Sequence, residues 1–406
     1  MALCLAGVTA YTPLERIADA LLVIEEGVFS YMGPRGAYPL ASGARVLDFR
    51  GSLACPGFVD LQVNGLGADA FLTADAAGVR RIARELARRG TAAFLPTFTT
   101  ASQDELIRAA RVVSEAWALQ KDEGGVAEAR ILGVHLEGPY LEPEMRGAHP
   151  DEHVRAPSKD EVEAIARAAG GLGVGGAPGL AMVTLSPGVA GAAGFARWLA
   201  ENGVVPAMGH TRASADCVEA FLEAGGAFAV HAFNRYGSQE TPAYRSASPM
   251  DFVQDDERLS AGLIADGVHV APRPLASFVR ARGWERSVLT SDLVADGGLR
   301  PRAGRDEARD EMPGDAVFSA GVLSGSRLPL SGMLPRLRHW CGLDAACALA
   351  TATRNPARVL GMESARGRLA QGLRADLCVL EPDSLELLAV MINGKWASGA
   401  PPIAGL

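Results

Sequence analysis

Through the middle of the chain, short apolar runs alternate with amphipathic stretches. Eight runs stand out: Phe58–Val63, Ala92–Pro96, Ile131–Leu136, Ala181–Leu185, Val204–Met208, Ala227–Val230, Ser260–Ile264 and Ser287–Thr290. Each is short and reads as a buried strand. Between most of them lie helical patterns, such as AGVRRIARELARRG after the first and DCVEAFLEAGG after the fifth. Eight β/α units over about 300 residues predict a (β/α)8 barrel, a fold that gathers active-site residues at the C-terminal ends of its strands. The alternative is an open doubly wound sheet, but no GxGxxG follows a first strand.

Both ends of the chain read differently. ALCLAGVTAYT, ADALLVIEEGVFSYMGP and ARVLDFRGSLACPG suggest four or five strands, too few to stand alone, and GRLAQGLRADLCVLEPDSLELLAVMINGKW supplies more. The prediction is a small β-sandwich domain from residues 1–52 plus 361–406, with the barrel, 53–360, inserted between. Two polar stretches, Arg235–Asp256 and Ala295–Gly314, read as long loops. The first is expected beside the site and the second as a solvated excursion.

Composition narrows the function. The chain has 406 residues, 48% hydrophobic and 21% charged, with 47 glycines and 24 prolines, which describes a globular protein rich in tight loops. A net charge of −8 argues against nucleic acid or an anionic membrane and favours a small metabolite. Six scattered cysteines without a CxxC pair read as reduced thiols. No basic segment precedes the first apolar run, and no apolar stretch reaches about 18 residues. The expectation is a soluble, cytoplasmic protein.

Three apolar runs end in metal-ligating residue types: Glu137 after VHL, His210 after VVPAMG, and His231 after FAV. A carboxylate directly after a buried strand needs a metal or a cationic partner. His210 and His231 lie 21 residues apart, about one helix plus one strand, which sets them side by side at one rim. Two imidazoles and a carboxylate around an open position suit a catalytic divalent ion, with zinc first and Fe(II) or another divalent ion also possible. Asp292 closes the run SVLTSD and is the candidate proton carrier, or else the cap of the next turn. Asp266 and His269, in LIADGVHV, add a polar rim, with Asp266 suited to an Asx turn and His269 to facing substrate.

PGFVDLQVNG, LGVHLEGPYL, RGAHP, MGHTRA, VHAFN, LIADGVHV, LSGSRLPL, ATRNPARVLG and GRLAQGLRADLCVL occur in the order and spacing of the N-acetylglucosamine-6-phosphate deacetylases of the amidohydrolase superfamily. The resemblance covers nearly the whole chain. It implies a metal-dependent barrel with a small sandwich domain, usually a homodimer, that hydrolyses N-acetylglucosamine 6-phosphate to glucosamine 6-phosphate and acetate. Carried over, it implies Glu137, His210 and His231 as metal ligands and Asp292 as the catalytic carboxylate. His149 is then a substrate contact near the scissile amide, and His269 one near the sugar phosphate. Asn234 stands where backbone amides hold phosphate.

Several positions depart from that pattern. Gln62 and Asn64 stand where many amidohydrolases carry HxH and two metals, so one metal per chain is expected, with Gln62 at the substrate side. Arg235 and Tyr236 replace the usual Ala-Met after Asn234, and Arg235 is a candidate anion contact. Arg245 is the other candidate for the phosphate. Ser186, Pro187 and Gly188 replace an Ala-Pro-Glu, removing a carboxylate. The alternatives to the glucosamine substrate are another N-acyl amino sugar, such as N-acetylgalactosamine 6-phosphate, or a barrel that binds an amino-sugar phosphate without turnover.

Overall fold

The computed structural model describes residues 2–12, 15–40, 43–122, 126–174, 178–238, 247–299, 314–319 and 321–398. Eight parallel strands make the barrel: Phe58–Val63, Thr91–Thr99, Val134–Glu137, Leu180–Leu185, Val205–Met208, Phe228–Ala229, Ser260–Leu263 and Ser287–Leu289. They pair in chain order from the first to the eighth. A single parallel bridge between Val63 and Leu293, just past the eighth strand, joins the two ends.

These strands read as mainly apolar runs because both faces are covered. Val59, Leu61, Leu95, Met182, Phe228 and Val288 pack together in one cluster, while Phe58, Phe94, Val183 and Leu289 belong to another shared with the surrounding helices. The helices start where a side chain accepts a free backbone N–H. Asp75 caps Ala76–Arg88, Ser158 caps Lys159–Ala169, Ser214 caps Ala215–Glu223 and Asp344 caps Ala345–Ala352.

Segments near both ends build a separate mixed sheet of eight strands. Leu3–Tyr11, Arg16–Glu25, Val28–Pro34, Arg45–Asp48 and Leu53–Pro56 come from one side of the barrel sequence. Leu377–Leu380, Leu387–Ile392 and Lys395–Ser398 come from the other. The two groups meet where Leu53–Pro56 pairs antiparallel with Leu377–Leu380. One face buries Leu5, Val8, Leu22, Phe29, Leu377 and Met391. At the seam with the barrel, Asp376 accepts from Arg366 at 2.7 Å, Arg374 at 3.3 Å and the Asn393 amide at 2.7 Å.

One loop expectation changes. Arg235–Asp256 contains a helix, Pro249–Asp255, closed at its start by a Ser248–Asp251 capping box. At two turns it is too short to leave a periodic signal. Most of the second stretch, residues 300–313, lies outside the described residues; at its start Ala295 and Gly298 are buried, while Asp296 and Gly297 are exposed. Beyond it, a hairpin of Ala316–Ser319 and Val322–Ser326 returns to the barrel, and the Ser326 amide donates to the Asp292 carbonyl at 2.9 Å. All six cysteines are free. Among the described residues, no helix is long and apolar enough to cross a membrane.

Candidate active site

The strand ends deliver the predicted chemistry to one place. Glu137 ends the third strand, His210 and His231 follow the fifth and sixth, and Asp292 follows the eighth; all four are buried. Glu137 Oε1 lies 2.9 Å from His231 Nε2 and 3.4 Å from His210 Nε2, and the two Nε2 atoms are 3.2 Å apart. A tetrahedral ion bound at about 2.0–2.1 Å spaces its ligands about 3.3 Å apart, so the three atoms already stand as ligands would.

Tautomers agree with that fit. His210 Nδ1 lies 3.0 Å from the Met145 carbonyl, which can only accept, so Nδ1 carries the proton and Nε2 turns a lone pair inward. Nothing but a cation or a proton satisfies lone pairs facing one another across this gap. Burial opposes charge on Glu137, yet the surrounding imidazoles of His210, His231 and His149 hold its pKa well below the usual carboxylate range. Burial also pushes His210 down, while on His231 the Glu137 carboxylate overcomes burial and pushes the pKa up.

His149 sits at the edge of the same cluster: Glu137, His149 and His210 each present a ligating atom within 4.8 Å of the others. Its tautomer is the opposite one. His149 Nδ1 accepts from the Thr100 amide at 3.2 Å and lies 2.8 Å from the Thr100 hydroxyl, so the proton sits on Nε2. Burial, then His210, pushes its pKa to about 3, so the ring stays a neutral donor. It suits a developing oxyanion better than a metal.

Gln62 and Asn64 act as tethers. Gln62 Nε2 donates to Glu137 Oε1 at 2.9 Å and to Asp292 Oδ1 at 3.2 Å, and Asn64 Nδ2 donates to the same Asp292 oxygen at 2.8 Å. Gln62, expected at the substrate, is thus turned to the two carboxylates. Asp292 Oδ2 is left facing His269 Nε2 at 3.8 Å. Burial, then the charge of Glu137, raises the Asp292 pKa to about 7. His269 is fixed by Asp266, whose Oδ2 lies 2.6 Å from its Nδ1 and whose Oδ1 accepts from the Val268 and His269 amides, the predicted Asx turn.

A pocket opens over this cluster. Thr99, His149, Asn234, Arg235 and His269 line it together with Glu137, His210, His231 and Asp292. The Asn234 amide is already spent on the His231 carbonyl at 3.0 Å, and the Phe233 amide on Met250 Sδ at 3.3 Å. What Asn234 offers is its side chain, whose buried Nδ2 has no partner. The Arg235 guanidinium packs over Gly147 and its charge reaches His149. Arg245 lies outside the described residues.

Leu299, Leu323 and Ser324 complete the wall and were not singled out from the sequence. LSGS belongs to the motifs that carry the family resemblance, but its backbone link to Asp292 is a tertiary fact. The rim also concentrates left-handed backbone at non-glycine positions. His210, His231, Phe233, Arg235 and Asp292 have φ of 50°, 28°, 78°, 59° and 49°. Such residues cost about 1 kcal/mol or more each and gather where surrounding structure enforces them.

Comparison with known proteins places the chain. An amidohydrolase family model matches residues 53–397. The N-acetylglucosamine-6-phosphate deacetylase of Homo sapiens is 32% identical over 369 residues, covering 87% of this chain and 86% of the relative. The N-acetylgalactosamine-6-phosphate deacetylase of Escherichia coli O157:H7 is 30% identical, covering 94% and 95%. Among solved structures, a variant of N-acetyl-D-glucosamine-6-phosphate deacetylase from Mycobacterium smegmatis, in complex with N-acetyl-D-glucosamine-6-phosphate, aligns with a TM-score of 0.81 at 28% identity. It covers 98% of this chain and 99% of that one.

Proposed function

The chain belongs to the amidohydrolase family, and on that premise we propose that it hydrolyses N-acetylglucosamine 6-phosphate to glucosamine 6-phosphate and acetate. The observation that carries the chemistry is the convergence of Glu137 Oε1, His210 Nε2 and His231 Nε2 beside Asp292. These three residues hold one divalent ion, zinc first, with Fe(II) also suited to the donor set. When bound, the ion supplies a Lewis acid and lowers the pKa of a water.

The chain's own residues do the rest. Asp292, its Oδ1 pinned by Gln62 and Asn64, uses Oδ2 to take the proton from the attacking water. The water oxygen adds to the acetamide carbonyl carbon, and His149 donates its Nε2–H to the carbonyl oxygen as charge develops there. Asp292 returns the proton to the sugar nitrogen, the C–N bond breaks, and acetate and the free amine leave. Gln62 and Asn64 use the HxH positions as N–H donors to carboxylates, which supports one metal per chain. Arg235 and the Asn234 side chain bind the phosphate, and His269 steadies substrate beside Asp292. The resemblance also favours a cytoplasmic homodimer, which sedimentation of the purified protein tests.

A second reading, preference for the galactosamine epimer, is supported by the Escherichia coli relative, nearly as similar as the human one. Acetate release from both 6-phosphates, with and without chelator, separates the readings. Chelator-sensitive release that favours the glucosamine substrate supports the first, faster release from the epimer supports the second, and none from metal-loaded protein sinks both.

A further inference from the structure

The turn that carries His210 is held from outside the metal cluster. His210 itself has φ of 50°, so the backbone there does not hold its shape unaided. Its carbonyl accepts from the Ser186 hydroxyl at 2.6 Å. The next two residues are gripped by one carboxylate, that of Glu142, which accepts from the Thr211 hydroxyl and from the Arg212 amide, the latter at 3.1 Å. The Glu142 amide donates to the same Ser186 hydroxyl at 2.9 Å. Three residues further on, the Met145 carbonyl fixes the His210 tautomer. One short segment, Glu142–Met145, thus holds His210–Arg212 by side chain, backbone and ring.

A second observation concerns the room for that carboxylate. Gly188, after the fourth strand, has no left-handed φ, so its backbone does not require glycine. A Cβ built there meets Glu142 Cδ at 2.8 Å and both carboxylate oxygens at 2.9 Å. Residue 188 is therefore glycine for space, and the space is filled by Glu142.

We propose that Glu142 is a positioning residue that clamps the His210–Arg212 turn and so presets His210 for the metal, with Gly188 kept side-chain-free to admit it. The clamp rests on the metal-centre reading above, though not on the identity of the sugar. Because Thr211 also pairs with the Arg235 carbonyl, through its amide at 2.9 Å, the clamp steadies the cavity wall that carries Arg235.

The test is a titration of the metal-stripped full chain with zinc or cobalt(II), with the thermal midpoint of each stripped variant as the check on folding. Glu142→Ala is expected to weaken ion binding about 10- to 100-fold, the usual cost of losing a group that orients a ligand, with the stripped midpoint unchanged. Glu142→Gln keeps most of the affinity, because an amide oxygen still accepts from Thr211 and Arg212. Gly188→Ala weakens ion binding in the parent but has no further effect once Glu142 is alanine. In that same background Gly188→Glu restores part of the affinity, its carboxylate entering the vacated space. Parent-like affinity in Glu142→Ala, or an equal effect of Gly188→Ala in both backgrounds, overturns the clamp. Ion affinity is read without substrate, so a parent that binds the ion and releases no acetate sinks the deacetylase reading alone.

Discussion

The two ends of the barrel handle their buried carboxylates differently. At the seam with the terminal sheet, Asp376 is matched by Arg366, Arg374 and the Asn393 amide. At the other end, the rim keeps His231 Nδ1, Asn234 Nδ2, Gln62 Oε1 and Asn64 Oδ1 buried without partners and holds five non-glycine residues in left-handed backbone. A buried polar group without a partner costs about 1–3 kcal/mol, and at the rim a bound ion or substrate can remove that cost. The difference teaches that one end is built to be stable and the other to be completed by what binds there.

Substitutions at each end should therefore fail in different ways. Asp292→Asn should lower kcat by up to about 10⁴-fold while the protein keeps its metal and its thermal midpoint, since only the proton carrier is lost. Near-normal turnover would remove Asp292 from the mechanism. At the seam, Asp376→Ala leaves the Arg366 charge poorly matched and should cost about 3–5 kcal/mol in denaturant unfolding, with kcat per folded molecule unchanged. A loss of kcat with normal stability would erase the contrast.

Between the two ends lies His135, wholly buried, its Nδ1 at 3.0 Å from the Leu61 carbonyl and its Nε2 at 2.8 Å from the Thr184 hydroxyl. Burial pushes its pKa down to about 4. The unfolded chain then binds a proton that the folded chain refuses, so this contribution to stability is present above about pH 6.5 and lost as pH falls toward 4. It amounts to about 3 kcal/mol, and unfolding curves of the parent and His135→Gln should converge across that window. The smallest effect is at the rim's edge. Arg235→Ala should raise KM for the 6-phosphate about 10- to 100-fold with little change in kcat, and leave the unphosphorylated sugar unaffected.

Much of the architecture was legible because its signal is local. A strand buried on both faces reads as an apolar run, and His210 and His231 were placed side by side by the length of one β/α unit. Glu137 and Asp292 stood out because a carboxylate ending a buried run demands an explanation. Loop contributions were not legible. Helix Pro249–Asp255 is too short to show a period, and Leu323 and Ser324 reach the cavity by a hairpin whose tie to Asp292 spans more than thirty positions of chain.

The sequence by itself determined the barrel, the terminal sheet and the residue types of a Glu/His/His centre with a nearby Asp, since these follow from periodicity and from residues at strand ends. Only the tertiary structure decided what each group does with its atoms. His149 and His210 carry protons on opposite nitrogens because one meets the Thr100 amide and the other the Met145 carbonyl. Gln62 became a tether because two carboxylates, one 75 and one 230 positions away, point at its nitrogen. Proton location and hydrogen-bond direction depend on partners brought together by folding, and no spacing along the chain encodes them.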